Sequence, residues 1–98
     1  MTPGEAPKCF ATLAALHAQT GPLGNGPVRR TDITSDGYTY ESWTTRDEGG
    51  QSVIARRGSR YCLIAMGGGV MGIDDIVAAG VPRAIAKRLA ERMNRGGR

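Results

Sequence analysis

Aromatic side chains are scarce in this chain: Phe10, Tyr38, Tyr40, Trp43 and Tyr61 are the only ones among 98 residues. A domain of this length buries about 60–65% of the surface its unfolded form exposes, so its core is thin. Four of the five rings lie between residues 38 and 61, which places that core in the middle of the chain. Cysteine occurs twice, at Cys9 and Cys62, too few for a disulfide scaffold and without metal-ligand spacing. The expectation is two reduced, buried thiols, with a disulfide between the N-terminal helix and a strand as the alternative. Histidine occurs once, at His17, so neither a histidine-based metal cluster nor a Ser-His-Asp or Cys-His set can be assembled from the sequence. No apolar run approaches the roughly 20 residues a membrane span needs. The segment CFATLAAL is short, follows Glu5 and lacks a small-x-small cleavage site, so no signal peptide is expected. These absences point to a cytoplasmic protein with no cofactor and no membrane partner, folded as one domain over residues 1–98. Residues 1–7 and 96–98 are expected to be disordered.

Acidic residues are also scarce, but only in one half. Residues 51–98 carry nine lysines and arginines against three carboxylates, whereas residues 1–50 carry four against six. The net charge of +4 is therefore concentrated in the second half. Such a distribution suits an acidic protein surface, a nucleoprotein complex or nucleic acid itself as partner.

What is present is a chain organised around residues 37–69. Three apolar or aromatic runs, YTYESWTT, QSVIARR and RYCLIAM, are separated by Asp47-Glu48-Gly49-Gly50 and Gly58-Ser59. An irregular edge strand over Val28–Thr34 precedes them. It leads into Ser35-Asp36-Gly37, where Asp-Gly favours the positive-φ geometry of a tight hairpin. A bulge between Tyr40 and Trp43 would bring Tyr38, Tyr40 and Trp43 to one side. The Arg60–Met66 run reads as a strand covered on both faces. Before the strands, Lys8 to Gln19 is read as a helix, with Phe10, Leu13, Ala14, Leu16 and His17 on one face. After them, Ile73–Ala79 makes two helical turns ended by Gly80. A second helix starts at Val81-Pro82, with Val81, Ile85, Leu89 and Met93 in a stripe. The fold class is α+β: an N-terminal helix, an antiparallel β-meander of three or four strands, and one or two C-terminal helices packed on one face.

Three stretches invite a chemical reading. Gly67, Gly69 and Gly72 satisfy G-x-G-x-x-G after a strand and before a helix. A dinucleotide site would need a second parallel strand with an acidic residue about 20 positions on, and the remaining residues read as helix. This segment is therefore read as a connector. Arg56, Arg57 and Arg60 flank the Gly58-Ser59 turn and, with Arg46, form the densest basic group. The planar guanidinium fork holds carboxylate or phosphate with two hydrogen bonds. The same residues on an edge hairpin also discourage aggregation. The C-terminal helix adds Arg83, Lys87, Arg88 and Arg92. The stretch IDDIVAAGVPRAIAKRLAERMN resembles a helix-turn-helix of the bacterial repressor kind, with Gly80 as turn glycine and Val81 and Leu89 as core positions. That resemblance implies Arg83, Lys87 and Arg88 facing DNA. Asp75, at a usually apolar position, and the small Ala86 depart from it.

Two further resemblances bear on fold and role. The order helix, strands, helix is shared with double-stranded-RNA-binding domains, without their lysine-rich start to the last helix. The stretches GYTYESW and QSVIARRGSRYCLIA resemble the middle of a phage anti-CRISPR family that blocks type I surveillance complexes. The matching positions are Gly37, Tyr38, Thr39, Tyr40, Ser52, Val53, Tyr61 and Ala65. That family is acidic and imitates DNA, whereas this chain is basic at its meander end and last helix. The resemblance thus implies the fold and an inhibitory role. The leading expectation is a non-catalytic, mobile-element-type inhibitor docking through basic residues on an acidic protein or nucleoprotein surface. Direct nucleic-acid binding by the C-terminal helix is the alternative, and a small ribonuclease-like toxin using His17 a third.

Overall fold

The computed structural model describes residues 8–20, 29–45, 49–67 and 71–96. Its centre is an antiparallel sheet of five strands: β1 (Lys8–Phe10), β2 (Arg29–Ser35), β3 (Tyr38–Thr44), β4 (Gly49–Arg57) and β5 (Arg60–Gly67). The spatial order is β1-β5-β4-β3-β2. Strands β2 to β5 form the expected meander. Among the described residues three helices accompany it: α1 (Leu13–Thr20), α2 (Ile73–Ala78) and α3 (Arg83–Gly96). The α+β class holds, with five strands rather than three or four.

The extra strand corrects the N-terminal reading. Residues 8–10 are not the first turn of a helix; they pair with β5 as Lys8↔Leu63, Cys9↔Cys62 and Phe10↔Tyr61. The helix starts one turn later because Thr12 caps it: its Oγ1 accepts the Ala15 N–H at 3.0 Å, and its carbonyl accepts the Leu16 N–H at 3.1 Å. Cys9 and Cys62 stand directly opposite each other and are joined in a disulfide. They are not the reduced thiols expected, and the bond links two strands rather than a helix and a strand. The C-terminal end also differs, since α3 runs on to Gly96. Residues 1–7, 21–28, 46–48, 68–70, 97 and 98 lie outside the described residues, and with them parts of the expected first strand, of the Asp47-Glu48-Gly49-Gly50 turn and of the glycine-rich connector.

The turns follow their chemistry. Asp36 and Gly37 both have positive φ, 52° and 83°, the combination a two-residue hairpin of type I′ requires. Gly58 at φ 63° opens the β4–β5 turn. Gly50 is constrained by space rather than by φ. It pairs with Trp43, and a Cβ there would meet the Gly67 carbonyl oxygen at 2.4 Å and Trp43 Cζ2 at 2.6 Å. The indole lies over the glycine.

Alternation along the strands separates two faces. On one, Tyr40, Val53, Ala55, Cys62 and Ile64 meet Ile76, Val81, Ala86, Leu89 and Met93 of the α2–α3 segment. On the other, Ile54 and Leu63 are covered by Leu16 of α1, with Phe10, Leu13, Tyr61 and Met66 around them. The helices therefore sandwich the sheet, α1 on one face and α2–α3 on the other. This explains why β5 reads as apolar on both sides. It also breaks the double-stranded-RNA-binding order, since a strand precedes the first helix and two helices follow the sheet. The stripe on α3 is as expected except that Ala86, not Ile85, is fully buried.

The bulge lies elsewhere than expected. Pairing of β3 with both neighbours is regular, so Tyr40 and Trp43 point to opposite faces. The register shifts instead between Val53, opposite Ala65, and Ile54, opposite Leu63. Ile64 is the extra residue, and it joins Ala65 on the α2–α3 face.

Candidate functional site

The arginines of the β4–β5 hairpin occupy one end of the sheet. Arg56 pairs with Tyr61, and Arg57 with Arg60. All residues from 56 to 60 are exposed. Since Ala55 and Cys62 face α2–α3, alternation places Arg56 on the α1 face and Arg57 and Arg60 on the α2–α3 face. The Arg56 guanidinium carbon lies 5.6 Å from the centre of the Tyr61 ring, within cation–π range. Arg57 and Arg60 form no ion pair with any described residue. Two like charges directly opposite each other across a ladder disfavour the pairing. Arg46 lies outside the described residues.

The β2–β3 turn sits at this same end, since the Gly37 carbonyl accepts the Arg56 N–H at 2.8 Å. Through that turn α3 also reaches it. Arg88 Nη1 donates to Asp36 Oδ2 at 2.5 Å and lies 3.3 Å from Ser35 Oγ. Arg92 Nη1 donates to the Thr34 carbonyl at 3.2 Å. Arg83 Nη1 is 3.1 Å from Asp74 Oδ1, with both side chains largely exposed, an arrangement worth little stability. Lys87 is exposed and unpaired among the described residues. The eight basic residues named from the sequence thus divide. The hairpin arginines are open to a partner, whereas Arg83, Arg88 and Arg92 are held by groups of their own chain.

The helix-turn-helix arrangement is met in its core and not in its contacts. Val81, Ala86 and Leu89 are buried, and Gly80 takes the turn with φ 113°. Asp75, the discordant residue, caps α2: its Oδ2 accepts the Gly72 N–H at 2.9 Å. But α3 lies against β2 and β3, and two of its arginines bind the β2–β3 hairpin. Among the described residues α2 and α3 follow β5 with no further strand, so a second parallel strand for a dinucleotide site is not found there. The chain just before α2 is anchored instead. Gln51 Oε1 accepts the Met71 N–H at 2.7 Å and is also bonded to Tyr40 Oη, which lies 3.0 Å from the Met71 carbonyl. Burial, then the charge of Asp75, raises the Tyr40 phenol above its ordinary pKa, against the Gln51 bond.

A second polar cluster lies under α1, and the sequence reading missed it. Glu41 is buried, and its Oε2 is 2.7 Å from His17 Nε2, with side-chain exposures of 3% and 21%. Asp32 pairs directly with Glu41 across the β2–β3 ladder. On β4, Ser52 faces Glu41, and its Oγ accepts the Trp43 indole N–H at 3.2 Å. Burial pushes the Glu41 carboxyl above the usual carboxylate range; the His17 bond opposes this, and Asp32 adds to it. The signal was available: with regular alternation, Glu41 and Trp43 share a face. A histidine–carboxylate pair can orient a general base. Here Nε2 is committed to Glu41, and among the described residues no group of three metal-binding side chains is assembled.

No helix among the described residues is long and apolar enough to cross a membrane. Set against protein-family models, curated proteins and solved structures, the chain matches none.

Proposed function

We propose that this chain is a binding protein that works without chemistry, docking on an anionic nucleoprotein surface through its β4–β5 hairpin. One observation carries this reading. Arg56, Arg57 and Arg60 are exposed and without carboxylate partners among the described residues, while Arg83, Arg88 and Arg92 of α3 each bond to an oxygen of their own chain. The hairpin also stands on the most deeply buried strand, so its backbone is held rigidly while its side chains stay free. A rigid base lowers the ordering cost of association. The inhibitory, mobile-element role suggested by the anti-CRISPR resemblance belongs to this reading, as does action in the cytoplasm.

The test is capture from a cell lysate by the immobilised protein, with and without nuclease treatment. Wild type is compared with Arg57→Ala/Arg60→Ala and with Arg83→Ala/Lys87→Ala. The hairpin variant should lose the captured assembly and the α3 variant should retain it. Retention by the hairpin variant, with loss by the α3 variant, would transfer the function to the helix and favour the repressor-like alternative.

A further inference from the structure

Resting on the hairpin as the contact element, we infer that its partner is the major groove of double-stranded DNA, entered by the β4–β5 ribbon with an arginine side chain on each face. Three observations lead there. The hairpin extends past its neighbours. Arg56↔Tyr61 is the last flanked pair, held by the Gly37 carbonyl on one side and by Phe10 of β1 on the other, so the pair Arg57↔Arg60 and the Gly58-Ser59 turn stand beyond both neighbours. One residue pair at about 3.3 Å per residue, with the two-residue turn beyond it, forms the projecting tip of the ribbon. The major groove is about 8.5 Å deep and wide enough for a two-stranded ribbon.

The charges, moreover, lie on both faces. Arg56 is on the α1 face over Tyr61, and Arg57 and Arg60 are on the other. A flat acidic patch would meet only one of these sets. A groove lined on either side by a phosphate backbone meets both at once. The third observation is the Arg57↔Arg60 pair itself. Opposed guanidinium groups repel unless an anion lies between them, and no described carboxylate does so. A phosphate is an anion whose oxygens accept from both forks. Asp36, the carboxylate at this end, is covered by Arg88, which lessens its repulsion of a phosphate backbone. A-form RNA offers a deep, narrow major groove that side chains do not enter, so the geometry selects DNA.

The experiment is fluorescence anisotropy with a labelled mixed-sequence DNA duplex of about 20 base pairs (two helical turns), titrated at several salt concentrations. Wild type should bind the duplex with a log–log salt slope near −3, about 0.9 for each of three phosphates. Arg57→Ala/Arg60→Ala should flatten the slope by about two and Arg56→Ala by about one, while Arg83→Ala/Lys87→Ala leaves it unchanged. A duplex with bulky substituents at pyrimidine C5, which fill the major groove, should bind at least tenfold more weakly, as should duplex RNA and single-stranded DNA of equal length. Circular dichroism of each variant confirms that the exposed substitutions leave the fold intact. Equal binding of DNA, RNA and heparin, all dependent on the hairpin arginines, would overturn groove insertion while leaving the hairpin as an anion contact. Binding that ignores the hairpin substitutions would overturn both readings. A captured assembly that survives nuclease, without affinity for free duplex, would assign the hairpin to an acidic protein surface instead.

Discussion

Replacing His17 by alanine tests the buried cluster beneath α1. Glu41 is nearly inaccessible, and His17 Nε2 at 2.7 Å is its closest charge-compensating group. Removing the imidazole costs a hydrogen bond to a charged acceptor, about 1.5–3 kcal/mol, and leaves a desolvated carboxylate. Breaking a buried pair in this way costs about 3–5 kcal/mol when the remaining group stays charged. Glu41 can limit that cost by taking up a proton, so the penalty depends on pH. The Glu41 carboxyl is already raised in the folded protein, chiefly by burial. A carboxyl raised in the folded state contributes stability that is complete below its unfolded pKa and is lost as pH rises through the folded value. Losing the His17 bond, which lowers that value, raises it further and extends the loss to higher pH. The expected destabilisation is about 3 kcal/mol at pH 8, from the two ranges above. At pH 5 it is smaller, because a raised carboxyl takes up a proton more readily as pH falls. For a chain of this length, 3 kcal/mol lowers Tm by about 12–24 °C. Urea unfolding at the two pH values measures both penalties. Glu41→Gln in the His17→Ala background should remove the difference between them, because glutamine cannot ionise. A penalty equal at pH 5 and pH 8, or below 1 kcal/mol at pH 8, refutes the account.

Other substitutions probe separate parts of the fold. Gly50→Ala places a methyl group against the Gly67 carbonyl and the Trp43 ring, so it should cost about 2–4 kcal/mol and shift the indole fluorescence. An unchanged spectrum and midpoint would mean that the indole does not lie over Gly50. Tyr40→Phe removes the hydroxyl that bridges Gln51 and Met71, with an expected loss of about 1–3 kcal/mol. Amide exchange near Met71 should accelerate in that variant; uniform exchange would show that the linker is held otherwise. Reducing the Cys9–Cys62 bond frees a loop of 53 residues, worth about 4 kcal/mol by chain entropy. Denaturation with and without dithiothreitol reads this, and coincident curves would exclude a stabilising bond.

Much of the meander was legible because its signals are local. Asp36-Gly37 and Gly58-Ser59 specify tight turns through backbone conformation, and β2 to β5 are joined end to end. The α3 stripe was legible because its period is uninterrupted over three turns. Lys8–Phe10 was not, because three residues carry no period of their own. Phe10 falls at helical spacing from Leu13, yet the partner that makes it a strand is Tyr61, far along the chain. Trp43 misled for a related reason. Its burial on the α1 face depends on the space above Gly50, a cross-strand fact. In the candidate site, the exposed hairpin arginines could be named from the sequence. The engagement of Arg88 and Arg92 could not, because Asp36 and Thr34 lie more than 50 residues away. The His17–Glu41 pair needed both a correct face for Glu41 and a correct face for α1.

The placement of β1 beside β5 also dictates an order of assembly. Hairpins β2–β3, β3–β4 and β4–β5 close over short loops and can form in succession, whereas β1 must wait for residues 61–63. Because closing a long loop is entropically slower than closing a hairpin, the β1–α1 arm docks last. Until it does, Glu41 keeps its water and one sheet face stays open. Pulse-labelling amide exchange during refolding, with Cys9 and Leu16 protected after Val53, follows this sequence. The N-terminal arm is thus the closing element of a domain whose remaining sheet is built from neighbours in sequence.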